Sequence, residues 1–170
     1  MKRSLLPILL LFVSYSLGQK THIGKQSYAI NKLVVKEHYA PKPLDDSLSS
    51  FVFDTFLESI DPSGFYFRIS DIDRLENYRY SIDDQIRNET SEFFDVAARL
   101  YEIRLKTADS LITEVLKTPF DFSKNEVLSY HPKDYKPYVL DTRSLQERWR
   151  KWLKYLVLEE LFEGDYLDKE

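Results

Sequence analysis

Cysteine is absent from all 170 residues. A disulfide framework, a thiolate metal site, a cysteine nucleophile and a lipidated cysteine are excluded together. Glycine is almost as scarce. Of four, only Gly24, Gly64 and Gly164 lie beyond the first eighteen residues. That leaves no material for a phosphate-cradling loop, a dinucleotide fingerprint or glycine-dependent hairpins. Basic charge is in deficit, with 24 Lys and Arg against 28 Asp and Glu for a net charge of -4. A general nucleic-acid binder would show the opposite balance. Histidine is limited to His22, His38 and His131. None of them forms an i, i+4 pair or an H-E-x-x-H motif, and no G-x-S-x-G is present. The sequence therefore assigns no catalytic, cofactor-binding or metal-ligating residue, and implies no cofactor.

What the chain does have begins with an export leader over residues 1–18. Lys2 and Arg3 make a positive start, and Leu5 to Val13 is an apolar run too short to cross a bilayer as a helix. Ser16-Leu17-Gly18 has the small-x-small form of a cleavage site, so the mature chain is expected to begin near Gln19 or Lys20. An uncleaved anchor is the other reading, but no stop-transfer pattern follows. The remaining residues, 19–170, suffice for one domain with a real core. The 15% of aromatic residues suits a fold held by packing alone.

Helical periodicity dominates that stretch, and the expected fold class is all-α: a multi-helix domain with one long central helix and an irregular, aromatic-rich connection before the last. A first helix is expected from Gly24 to Tyr39, with Ile30, Leu33 and Val34 on one face, ended by Pro41 and Pro43. A second follows the caps Asp45, Asp46 and Ser47. Leu48, Val52, Phe56 and Ile60 form the axis of its stripe, widened by Phe51, Phe53 and Leu57. Asp61-Pro62-Ser63-Gly64 should terminate it as a turn. Phe65, Tyr66 and Phe67 then read as a plug over the helix ends, because exposing three rings would forfeit several kcal/mol of burial.

Ser70 is the expected cap of a third helix, with Ile72, Leu75, Arg79, Ile82 and Ile86 on one face. Thr90 is the expected cap of the long helix, which runs to about Lys117. Phe93, Ala97, Leu100, Tyr101, Arg104, Leu105, Ala108, Leu111, Ile112 and Val115 keep its period, with Ala97, Arg104 and Ala108 the weak points. Phe120 opens the irregular connection, in which Tyr130, Tyr135 and Tyr138 should pack over the helices. The last helix is expected from Asp141 to Ser144 until about Phe162, with Leu145, Trp149, Trp152, Leu156 and Val157 inward. Its charges oppose the helix dipole: Arg143, Arg148, Arg150, Lys151 and Lys154 come first, and Glu159, Glu160 and Glu163 last. Such a helix needs tertiary support, the basic part from an acidic surface and the acidic part from another portion of the protein.

Residues that could suggest chemistry have simpler readings. The acidic pairs Asp45/Asp46, Asp71/Asp73 and Asp83/Asp84 read as first-turn and solvated-face acids rather than as glycosidase carboxylates. Arg148-Trp149-Arg150-Lys151-Trp152 interleaves cations with indoles, as at nucleic-acid or membrane contacts. Both tryptophans fall on or near the apolar stripe, so core packing is the better reading, with Glu147 and Lys151 paired at i, i+4.

The order of segments carries a resemblance. Glu37-His38-Tyr39, then Leu44-Asp45-Asp46-Ser47-Leu48-Ser49, Phe53-Asp54-Thr55-Phe56-Leu57, Ile60-Asp61-Pro62, Tyr66-Phe67 and Ser70-Asp71-Ile72 resemble the N-terminal domain of the tail-specific proteases. These are periplasmic carboxy-terminal processing peptidases. The long helix ending before Pro119-Phe120-Asp121-Phe122, and the Trp-bearing helix after it, are also similar. The resemblance covers nearly all of residues 19–170, and the Phe-Asp-x-Phe-Leu, Asp-Pro and Tyr-Phe segments are its most specific part. It implies a parent with a PDZ domain and a serine-lysine peptidase domain, cutting proteins after recognising apolar C-terminal tails. This sequence stops at Glu170 before either module, so no catalytic or tail-binding residue carries over, and a fragment of a longer protease is expected.

The leading functional expectation is thus a non-catalytic helical domain in the periplasm or cell envelope. It would pack on the protease and PDZ domains of its parent and offer a surface to an adaptor or to unfolded or C-terminally tagged substrates. The alternative is a freestanding secreted helical interaction module without a protease parent. A third reading is an anionic-lipid binder through Arg148 to Lys154. Nucleic acid is not an expected partner, nor is a membrane once the leader is removed.

Overall fold

The computed structural model describes residues 23–128 and 138–167. They form six helices and, among the described residues, no strand: α1 (Ile23–Glu37), α2 (Asp46–Ile60), α3 (Ile69–Glu76), α4 (Ile82–Arg87), α5 (Glu92–Leu116) and α6 (Thr142–Leu167). The all-α expectation is met, but the single long helix expected is one of two: α5 has 25 residues and α6 has 26. The leader, His22, His131, Tyr130 and Tyr135 lie outside the described residues. The chain divides into two compact units, residues 1–41 with 84–91, and residues 42–83 with 92–170.

In the first unit, α1 is held at its start. Gly24 is buried, and a Cβ there would lie 2.2 Å from the backbone oxygen of Glu89. The segment it meets is a helix terminus of Schellman type. Glu89 takes φ 57, its N–H donates to Ile86 O at 3.2 Å, and the N–H of Thr90 donates to Gln85 O at 2.8 Å. Thr90 therefore closes α4 instead of capping α5, which begins two residues later. Beyond its first turns α1 is exposed, and the expected inward stripe of Ile30, Leu33 and Val34 faces solvent.

In the second unit, Asp45 caps α2 as its sequence predicts, accepting the N–H groups of Ser47 and Leu48 at 3.0 and 3.1 Å. The buried line along α2 is Ser49, Phe53 and Leu57. The expected axis through Leu48, Val52, Phe56 and Ile60 is thus displaced by one residue, so those four are only partly covered and Phe51 is exposed. Phe53 is fully buried against Phe93, with the Arg79 guanidinium 4.3 Å from its ring centroid. Phe56 packs edge-on against Phe93 and Phe94.

The third helix is not continuous to Ile86. It breaks after Glu76 into turns, and Arg79 sits in that break, donating to Glu76 and Asp54. The cap is also earlier than expected. Arg68 precedes the first turn, its N–H bonded to the Asp71 carboxylate at 2.9 Å, while Ser70 is exposed inside the helix. An isolated parallel bridge joins Arg68 to Val139, with Ile69 N–H donating to Val139 O at 2.9 Å.

α5 packs on α3 and α6. Its supposed weak points are its contact points. Ala97 and Ala108 are buried, and Ala108 leaves room for Leu145 and Trp149 to approach. Arg104 reaches Asp71, whereas Leu105 is exposed. Asp141 begins α6, accepting Ser144 N–H on its side chain at 2.7 Å and Leu145 N–H on its carbonyl at 3.1 Å. α6 extends past the expected end at Phe162 to Leu167. Leu145 and Trp149 point inward as expected, but Leu156 and Val157 do not. The cationic Lys154 is buried instead.

Candidate functional site

The loop between α2 and α3 is organised by Asp61, which is 1% exposed. Its carboxylate accepts three successive backbone N–H groups, from Phe65 at 2.7 Å, Tyr66 at 3.1 Å and Phe67 at 2.8 Å. Gly64, at φ 60, supplies the left-handed turn that brings those amides round. Burial raises the Asp61 carboxyl above its ordinary range, while the three N–H groups and the Arg148 charge pull the other way. From α6, Arg148 donates to Gly64 O at 2.6 Å and Trp149 Nε1 to Phe65 O at 3.0 Å. Phe65 lies 4.7 Å from Trp149 and 5.6 Å from Trp152 between ring centroids, and Tyr66 and Phe67 lean on Tyr101. The Tyr138 phenol is pushed up to about 12 by burial and by the Asp61 charge. The three aromatics are a plug, and Asp61 is the latch that holds it. Sequence reading saw the turn but not the latch. The signal was an acid followed at four to six residues by aromatics whose amides needed an acceptor.

The Arg148 to Trp152 patch dissolves into the same framework. Trp149 is buried, Trp152 half-buried, and Arg148 turned onto the loop carbonyls. Arg150 makes bidentate contacts with Glu147 at 2.8 and 2.7 Å and also with Glu126. Glu147 thus pairs with Arg150 at i, i+3 instead of the expected Lys151. Lys154 is only 6% exposed and donates to Glu126 at 2.5 Å and to Lys124 O at 3.2 Å. Hydrogen bonds from Arg150 and Lys154 lower the Glu126 carboxyl to about 2. The acid that the basic half of α6 requires is therefore Glu126, inside the same unit, not a distant surface.

Two of the acids expected on the surface are instead buried. Asp71 receives Arg104 on both oxygens, Nε to Oδ2 at 2.7 Å and Nη2 to Oδ1 at 2.6 Å. Asp83 accepts the Ser49 hydroxyl at 2.7 Å, and its own N–H donates back to that oxygen at 2.8 Å. Asp46, Asp73 and Asp84 are exposed, as expected. These acids are spread over separate contacts. His38 is exposed, with Nδ1 accepting Ala40 N–H at 3.1 Å. Among the described residues no group of three or more His, Asp or Glu side chains could hold a metal ion. None of their helices is long and apolar enough to cross a membrane.

What the unit leaves open is surface. The last turns of α6 expose Leu156, Val157, Leu161 and Phe162, the last two at 57% and 67%, among Glu159, Glu160 and Glu163. An open cleft of about 710 Å³ lies where α5 ends and α6 begins, with Val115, Pro119 and Phe120 against Glu114, Arg143 and Gln146. Over residues 29–170 the chain matches the family model described as the tail specific protease N-terminal domain.

Proposed function

Because the chain belongs to the tail-specific protease N-terminal domain family, we propose that it is the non-catalytic helical domain of a periplasmic serine-type processing protease, docked on the protease portion through the exposed end of α6. The observation that carries this reading is the uneven state of that helix. Its basic first half is satisfied inside the unit by Glu126 and the loop carbonyls. Its acidic last turns keep an exposed apolar group, Leu156, Val157, Leu161 and Phe162. An apolar cluster rimmed by charge is the ordinary form of a protein contact. Adaptors and unfolded or apolar-tailed substrates would meet the surfaces this docking leaves free, among them the cleft beside Arg143.

The test is substitution in the whole protease. Leu161→Asp with Phe162→Asp should loosen the domain from the protease portion, seen as new proteolytic cutting between them, while circular dichroism of the domain is unchanged. Unaltered resistance to cutting would show that α6 is not the docking surface. The freestanding-module alternative predicts no protease portion at all, and with it no effect of these substitutions on any partner of that kind.

A further inference from the structure

Two exposed apolar helix faces on this chain carry opposite charge, and that difference selects different partners. At 100° per residue, α1 places Ile23, Ile30, Leu33 and Val34 along one side and Lys25, Lys32 and Lys36 along the other. Ile30 and Leu33 are 62% and 60% exposed and Val34 is 43% exposed. The unit to which α1 belongs buries only Gly24 of this helix. Glu37 is the sole acid in it, so a chain of net charge -4 concentrates cations here. The other concentration, Arg148 to Lys154, is spent on Glu126 and on backbone carbonyls. The exposed end of α6 is rimmed by glutamates, which an anionic surface would repel.

We propose that α1 is a reversible anchor for an anionic lipid surface. Its aliphatic side lies in the headgroup and acyl boundary, and its lysine stems reach along the helix to the phosphates. A purely apolar protein groove would not require the polar side to be positive, whereas the negative potential of an anionic leaflet does. The face has no large aromatic anchor and only a few aliphatic side chains, so binding is weak and salt-dependent. This inference is independent of the α6 docking and departs from the expectation that the mature chain leaves the membrane alone.

Flotation of the chain freed of residues 1–18 tests it, with vesicles of phosphatidylglycerol and phosphatidylcholine in equal parts and with phosphatidylcholine alone. With the apolar run Leu5 to Val13 removed from wild type and variants alike, the difference between them reports α1. Ile30→Asp with Leu33→Asp, and separately Lys25→Glu with Lys32→Glu and Lys36→Glu, should each lower the fraction bound to anionic vesicles about tenfold. Raised salt should do the same to wild type, and helical circular dichroism should stay constant throughout. Variants that float like wild type, or wild type that fails to distinguish anionic from neutral vesicles, would overturn the proposal. So would wild type that binds no vesicle while α1 is protected from hydrogen exchange in the whole protease, since a protein face would then cover it.

Discussion

Arg104→Leu should be among the most damaging single changes in the second unit. The Arg104 guanidinium meets both oxygens of Asp71 at 2.7 and 2.6 Å, with side-chain exposures of 14% and 5%. Removing it leaves a buried carboxylate with the Arg68 N–H at 2.9 Å and the Arg68 Nε at 3.8 Å. One amide and a distant cation do not replace two charge-assisted bonds. Breaking one side of a buried ion pair costs about 3–5 kcal/mol. For a domain of this size each kcal/mol moves the melting temperature by roughly 2–4 °C. A fall of about 6–20 °C is expected, with a matching shift of the urea midpoint and an unchanged slope. Asp71→Asn in the same background removes the stranded charge but keeps an acceptor for the Arg68 N–H, so the double variant should recover at least about half of the loss. Urea unfolding followed by far-ultraviolet circular dichroism measures both. A loss under about 1 kcal/mol for Arg104→Leu, far below the buried-pair range, would refute the reasoning. A double variant as weak as the sum of the singles would refute it too.

Other consequences follow from particular contacts. Phe53→Ala should cost about 3–5 kcal/mol, and Phe56→Ala, half-covered, about 2 kcal/mol; the reverse order in urea unfolding would restore the displaced stripe. Gly24→Ala should destabilise the first unit despite alanine's higher helix propensity, since the new Cβ meets immobile backbone at 2.2 Å. Glu89→Gly should stabilise it by about 0.5–1 kcal/mol by relieving φ 57; in thermal melts, a rise for Gly24→Ala would contradict the first reading and a fall for Glu89→Gly the second. The Glu126 carboxyl falls from 4.5 to about 2 on folding. A depressed acid adds stability that is full above its unfolded value and lost as pH falls through its folded one. Wild type should lose this contribution between about pH 4.5 and pH 2, and Glu126→Gln, weaker at neutral pH, should show less of that acid loss. Parallel pH profiles for the two proteins would remove Glu126 from the account.

Element type was legible wherever local signals agreed. Asp45 and Asp141 cap where their sequence context predicts, and Pro119 follows the end of α5. The aromatic plug was legible from the cost of exposing three adjacent rings. What escaped was set by partners distant in sequence. Ser49 reads as a polar helix residue, and only Asp83 makes it a buried one. Arg104 and Lys154 interrupt apolar stripes until Asp71 and Glu126 come into view. The α2 stripe was misplaced by one residue because seven apolar positions there gave periodicity too broad an arc to choose its centre. Thr90 has good cap chemistry, but its amide and its hydroxyl both donate back to the Gln85 carbonyl, at the end of α4. For the candidate site, the segment order reached the family, whereas the exposed end of α6 needed the structure, since the apolar stripe read from the sequence places Leu156 and Val157 inward.

The most direct test of the account is amide hydrogen exchange along α6, in this chain alone and in the whole protease. The first half of the helix, Leu145 to Lys154, should be equally protected in both, because Glu126, the loop carbonyls and the aromatic plug hold it within the unit. The turns from Leu156 to Phe162 should exchange readily in this chain and slow at least tenfold in the protease. Equal protection of those turns in the two would contradict α6 as the surface on which the protease docks.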